Sequence, residues 1–254
     1  RRPDLRDEWD LIEEIGRLYG YDNIIPSQPL IKLAPMAENV LKTFEYVVKK
    51  YLAYSGFDEL LTYSFYGERD QAAACLPRDT HLELANPMNP EQKLLRMTLA
   101  PTMLRKISEN LRNFDHFNCF EWGSVFTSWQ ARGDKKPIIK EKKSLMIVSV
   151  HPSKGGRKNV STKTGTEFFA LKGNVEALFV AFHIKNITFD PLPVSEKIPE
   201  ASLLHPTRSA IVRSGEKILG YCGELHPLVA QNFNLNARIA LAEFDVTALE
   251  ASRT

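Results

Sequence analysis

The sequence predicts an α+β fold with a mostly antiparallel sheet. Two observations predict it. Many strand-like runs are interleaved with hairpins and helices, and the tail runs strand, turn, strand, helix, strand. At 254 residues the chain can bury a sizeable core as one large domain, or as one domain with a small appendage.

The elements follow in order. Trp9, Ile12, Ile15 and Tyr19 recur at helical spacing, with Gly20 where a helix C-cap belongs, so Asp7 to Gly20 reads as a helix. Three prolines fall between Ile24 and Pro35; they remove backbone donors and mark an extended connector, the best domain boundary. Val40, Phe44, Val47, Val48 and Tyr51 form one apolar stripe, predicting a helix from Met36 to Ser55 that Gly56 ends. Asp58 to Phe65 and His81 to Ala85 read as strands, the second closed by the turn-rich Asn86-Pro-Met-Asn-Pro90. Pro101 at a first helical position opens a helix with Met103, Leu104, Ile107 and Leu111 on one side. Phe117 to Thr127 alternates with apolar residues on both faces and is expected to be a central strand. Lys135 to Lys143 reads as a charged hairpin tip, Leu145 to Val150 as a buried strand, and Leu171 to Phe182 as an amphipathic helix. Strands at Ser209 to Arg213 and Lys217 to Gly223 flank the Ser214-Gly215 turn; a helix at Leu228 to Phe233 and a strand at Ile239 to Val246 complete the chain.

Composition narrows the function classes. Net charge is +2, so the chain as a whole is no electrostatic nucleic-acid binder, and contact with RNA needs a local patch. Cys75, Cys119 and Cys222 lie far apart without CxxC spacing, which argues against a disulfide framework or zinc ribbon and fits a reducing compartment. No run of 18 apolar residues exists, so no membrane span is expected and a cytoplasmic location is the default. The chain opens Arg1-Arg2-Pro3-Asp4 without methionine and reads as part of something longer.

The strongest chemical signal is acidic. Asp10, Glu13 and Glu14 stand at i, i+3 and i+4 along one flank of the first helix, and Asp4 lies close enough to fold back over it. Oxygen-only ligands suit Mg²⁺, which keeps several waters and takes one or two carboxylates. The alternative is a solvated helix start in which the acids complement the macrodipole.

The run from Asp4 through Asp10-Leu-Ile-Glu-Glu-Ile-Gly-Arg-Leu-Tyr-Gly-Tyr-Asp-Asn-Ile24 resembles the end of the small helical domain of the β subunit of bacterial phenylalanyl-tRNA synthetase. The similarity continues through Asn86-Pro-Met, Leu95-Arg-Met-Thr-Leu99, Phe120-Glu-Trp-Gly-Ser-Val-Phe126, Leu171-Lys-Gly-Asn-Val-Glu176, His205-Pro-Thr-Arg-Ser-Ala210 and Gly223-Glu-Leu-His-Pro227, with Ala170 where the family usually has Asp. The resemblance implies that Asp4, Asp10, Glu13 and Glu14 bind Mg²⁺ at a site shared with the α subunit. It implies residues 1–27 as the end of that helical domain and residues 28–254 as a class II synthetase-like domain, a sheet flanked by helices. It further implies an α2β2 enzyme that joins phenylalanine to tRNA(Phe) at the expense of ATP, with the chemistry on the α subunit. Editing and anticodon contact are expected outside this window.

Class II catalysis needs cations on the adenylate phosphates, where negative charge develops. Where such an enzyme places an arginine after the strand ending Val125-Phe126, this chain has Thr127-Ser128-Trp129. Its last strand, Ala240-Leu-Ala-Glu-Phe-Asp245, lacks a Gly-rich segment ending in arginine. A degenerate active site, with no catalytic and no cofactor-binding residue beyond the metal ligands, is therefore expected. The reading is a structural and assembly component, with the helices at Met36 to Ser55 and Pro101 to Phe114 as interface candidates or simply as core. A class II-like ligase active alone and a nucleic-acid-binding module are the alternatives. No histidine has metal-ligand spacing, and His205 and His226 read as loop or cap residues. Lys154-Gly-Gly-Arg-Lys158 lacks phosphate-loop order. Glu121 reads as a structural ion pair with Arg96 or Arg105, and Arg208 as a similar case.

Overall fold

The computed structural model describes residues 2–78, 81–129, 138–152, 166–192 and 199–253, so Lys135 to Pro137 and Lys154 to Lys158 lie outside the described residues. The chain divides into two compact units, Arg1–Glu38 and Asn39–Thr254.

The first unit holds α1 (Glu8–Tyr19) and a 3₁₀ turn at Tyr21–Asn23. A capping box starts α1: Asp7 accepts from the Trp9 N–H, and Asp10 accepts from the Asp7 N–H at 3.2 Å. Gly20, at φ +90°, stops it with its N–H on the Gly16 carbonyl. The helix buries none of its residues.

The second unit is built on a seven-stranded sheet of β1 (Asp58–Glu59), β5 (Phe117–Trp129), β6 (Ile138–Pro152), β7 (Ile187–Pro191), β8 (Leu204–Ser214), β9 (Lys217–Leu225) and β10 (Ala237–Asp245). Their order is β1-β5-β6-β10-β9-β8-β7. Every neighbouring pair is antiparallel except β1 with β5. A small antiparallel sheet joins β2 (Phe65–Tyr66), β4 (Leu94–Leu95) and β3 (Leu82–Glu83) in that order.

Helices cover both faces of the large sheet. One apolar cluster packs α2 (Val40–Tyr54), α5 (Thr166–Ala181) and α7 (Val246–Glu250) through residues such as Phe44, Val48, Leu178 and Leu249 against Phe120, Ile147 and Ala242. The other packs α4 (Ala100–Asn110) and α6 (Pro227–Asn232) through Met103, Ile107 and Val229 against Cys119, Val148 and Leu241. A short helix, α3 (Glu68–Ala73), precedes this second cluster in sequence. Glu243 of β10 ties the entry of α4 to the sheet: it accepts from the Leu99 N–H at 3.1 Å, Ser144 Oγ at 2.7 Å, Thr98 Oγ1 and the Tyr221 hydroxyl.

The α+β reading holds, with several corrections. α2 starts at Val40 rather than Met36 because Asn39 caps it, accepting from the Lys42 N–H at 3.1 Å. The run expected as one strand, Asp58 to Phe65, splits: only Asp58–Glu59 joins the large sheet, and Phe65–Tyr66 enters the small one. β5 is not central. It lies one strand from the edge, and its two apolar faces arise because helices cover both sides of the sheet. Ile138 to Lys143, expected in a hairpin tip, belong to β6 and pair with β5 residues Ser124 to Trp129. β8 begins at Leu204, five residues early, with a register shift where Pro206 lacks an N–H. α3, β4, β7 and α7 carry no pattern long enough to be read.

Burial sets the thiol chemistry. Cys119 and Cys222 are 1% and 0% exposed, and desolvation pushes both thiols up to about 12, whereas Cys75 is half-buried. One thiol is therefore expected to react with an aromatic disulfide reagent in buffer and all three in denaturant. Rapid native reaction of two or more would contradict this packing.

Candidate functional site

The acidic flank of α1 is organised around arginines. Arg2 Nη2 lies 2.7 Å from Asp4 and 2.8 Å from Glu14, and Arg17 Nη2 lies 2.6 Å from the second oxygen of Glu14. Arg2 holds the Asp4 carboxyl below the usual range; together with Arg17 it holds Glu14 at about 2. Asp10 spends its Oδ2 on the N–H groups of Arg6 (2.7 Å) and Asp7. Glu13 is exposed. The structure thus brings Asp4 and Glu14 together on one cation and uses Asp10 as a cap. Among the described residues no group of three or more His, Cys, Asp or Glu side chains is gathered to hold a metal. The donor chemistry suits Mg²⁺, and two carboxylates already share a positive charge, but the ion would have to replace Arg2 and draw further ligands from elsewhere.

The sheet shows a different pattern: two of its buried carboxylates, Glu121 and Glu224, are matched to arginines, while Glu243 is held by neutral donors. Arg96 Nη1 lies 2.7 Å from Glu121, with both side chains at most 3% exposed. Thr62 Oγ1 adds bonds to both Glu121 oxygens, and Arg96 Nε donates to the Ser124 carbonyl at 2.8 Å. Gly123 makes this possible, since a Cβ there would sit 2.2 Å from Arg96 Nη2. Arg105, the other candidate partner for Glu121, instead pairs with Asp70 at 2.9 Å. Arg208 Nε lies 2.7 Å from Glu224, and Arg238 joins the same carboxylate at 3.1 Å while approaching Glu167 at 3.4 Å. His226 caps α6, accepting from the Leu228 N–H, and His205 accepts from the Thr207 N–H.

These pairs join the short motifs two by two. Leu95-Arg-Met-Thr-Leu99 is locked to Phe120-Glu-Trp-Gly123 through Arg96 and Glu121. His205-Pro-Thr-Arg208 is locked to Gly223-Glu224 through Arg208. Sequence reading narrowed the partner of Glu121 to Arg96 or Arg105 from the cost of a buried carboxylate, and the structure selects Arg96. It missed Glu243 and its four donors, whose signal is a lone Glu inside an apolar strand.

The profile of the family described as "Phenylalanyl tRNA synthetase beta chain CLM domain" matches residues 24–246. The chain belongs to the phenylalanyl-tRNA synthetase β-chain family. A phenylalanine–tRNA ligase β subunit of Syntrophus aciditrophicus is 32% identical over 98% of this chain and 30% of its own length; that of Bacillus subtilis is 31% identical over 100% and 30%. The chain therefore spans about a third of these relatives. A pyrrolysyl-tRNA synthetase of Desulfitobacterium hafniense matches the fold with a TM-score of 0.61 at 16% identity, covering 82% of this chain and 67% of that one. The class II-like fold and the β-chain resemblance read from the motifs are both borne out. Among the described residues no helix is long and apolar enough to cross a membrane.

Proposed function

We propose that this chain is a structural and assembly part of a phenylalanine–tRNA ligase β subunit, doing no chemistry itself. It would support ATP-dependent attachment of phenylalanine to tRNA(Phe) by an α subunit in a cytoplasmic α2β2 enzyme. One observation carries the reading. Arg96, Arg208 and Arg238, the arginines that reach the sheet's buried carboxylates, are each tied to glutamate, so they serve cohesion rather than phosphate binding.

The two helices weighed as interface candidates differ. α4 buries six of its residues and belongs to the domain's own core. α2 buries Phe44, Val48 and Leu52 but exposes Tyr46 and Tyr54, 64% and 82% accessible, with Lys50 over both rings. Exposed tyrosines beside a buried stripe suit a partner interface. The acidic helix, under the same reading, would hold Mg²⁺ through Asp4, Asp10, Glu13 and Glu14 at a site shared with the α subunit, with the ion taking the place of Arg2 between Asp4 and Glu14.

Co-purification with the α subunit tests this. Association is expected with the wild-type chain, reduced yield in EDTA, and loss in Tyr46→Ala/Tyr54→Ala at unchanged thermal stability. Failure of the wild-type chain to associate sinks the assembly role. ATP–pyrophosphate exchange by the chain alone with phenylalanine would establish the rival reading, an active ligase.

A further inference from the structure

Where β6 and β9 flank the end of β10, the surface opens into a cleft of about 500 Å³ lined by Lys140, Lys142, Lys143 and Lys217 with Glu141 and Asp245. It shares Lys142, Lys143 and Asp245 with an adjoining cleft of about 330 Å³ that runs in over Thr127. Among the described lining residues four lysines face two carboxylates, an excess of two positive charges. Lys142 lies 3.3 Å from Asp245 and Lys143 3.9 Å from Glu141, with Lys143 also donating to Ser124 Oγ at 2.6 Å. Lys140 and Lys217, both exposed, have no carboxylate partner among the described residues. The chain as a whole carries only +2, so this cleft concentrates an excess equal to its entire net charge.

We infer that this cleft is a docking surface for the phosphodiester backbone of RNA, built from none of the paired arginines. Three features select that partner. Lysines are point charges on flexible stems and suit phosphates, whereas among the described lining residues no cation is a guanidinium that would fix a planar group. Among the described residues no aromatic side chain lines the larger cleft, so the described lining offers no stacking platform and suits contact with the backbone without regard to sequence. Lys140 and Lys142 are two apart on β6 and share a face, while Lys217 opens β9 on the far side of β10, so the charges spread along an open trough. That arrangement fits a chain of phosphates better than one enclosed anion. The inference rests on the proposed role in a tRNA ligase only for its biological partner; the cleft's chemistry stands without it.

The test is fluorescence anisotropy of the full chain with a single-stranded RNA of about 12 nucleotides, over a range of salt concentrations. Lys140→Ala/Lys217→Ala is expected to weaken binding about tenfold and to flatten the slope of log K against log salt by about 1.4, roughly 0.7 per lost phosphate contact. Lys106→Ala/Lys185→Ala, which removes the same charge elsewhere on the surface, is expected to change affinity less than about twofold. Absence of saturable binding, an unaffected Lys140/Lys217 variant, or equal losses in both variants would overturn the inference. So would tripolyphosphate binding more tightly than RNA with the same dependence on Lys140 and Lys217, because the cleft would then serve a free polyphosphate. Loss of RNA binding leaves co-purification with the α subunit untouched, so the two readings fail separately.

Discussion

Arg96→Met is expected to destabilise the second unit by about 3–5 kcal/mol, the cost of leaving a buried carboxylate without its cation. Glu121 is 1% exposed and would keep only the hydrogen bonds of Thr62. Urea unfolding followed by tryptophan fluorescence measures the loss; Trp122 neighbours Glu121 on β5 and reports on this region. The double variant Arg96→Met/Glu121→Leu is expected to recover much of it, because removing both charges leaves no uncompensated ion. Gly123→Ala should behave like the single variant, since its methyl group would occupy the space of the guanidinium. A loss below about 1 kcal/mol for Arg96→Met, the scale of an exposed pair, would mean the ion pair is not buried in solution.

Phe44→Ala is the second large effect, expected at about 3–5 kcal/mol for a buried aromatic side chain whose space cannot fully collapse. Phe44 is 1% exposed and meets Trp122 edge-on at 5.9 Å and Phe182 at 5.7 Å, and Arg253 lies over its face at 5.0 Å. Through these rings α2 is held to β5 and to the end of α5. Loss of the ring should therefore loosen α2 and reduce association with the α subunit together with stability. The Tyr46/Tyr54 variant should reduce association alone, because those rings face away from the core. Equal stability losses in the two variants would show that the outer face of α2 is packed within this chain.

The paired motifs give a physical account of the family resemblance. Arg96, Glu121 and Gly123 form one unit of cation, carboxylate and space. Arg208 and Glu224 form another, joining strands β8 and β9. A change at Arg96 or Glu121 strands its partner in a poorly solvated place, which is costly whether or not the region does chemistry, whereas Glu224 keeps Arg238 when Arg208 is lost. Such motifs identify a fold and its cohesion; they do not by themselves identify a catalyst.

What the sequence determined by itself was what near neighbours decide. The stripe of Val40, Phe44, Val47, Val48 and Tyr51 made α2, the alternation from Phe117 made β5, and the Ser214-Gly215 turn set the β8–β9 hairpin. Each is a period of two or of about 3.6, or a local turn, legible within a dozen residues. The acids of α1 were legible as a set, but their use was not: Arg2 joining Asp4 to Glu14, and Asp10 closing the capping box, depend on how the chain before the helix folds back. Tertiary structure alone decided the bounds and pairing of the short strands, since two residues of β1 pair only because β5 lies alongside. It also decided the partners of the buried carboxylates. Thr98 reaches Glu243 across 145 residues and Arg96 reaches Glu121 across 25, distances over which no periodicity carries information. A buried charge announces in sequence that it needs a partner; only the packed sheet says which one it has.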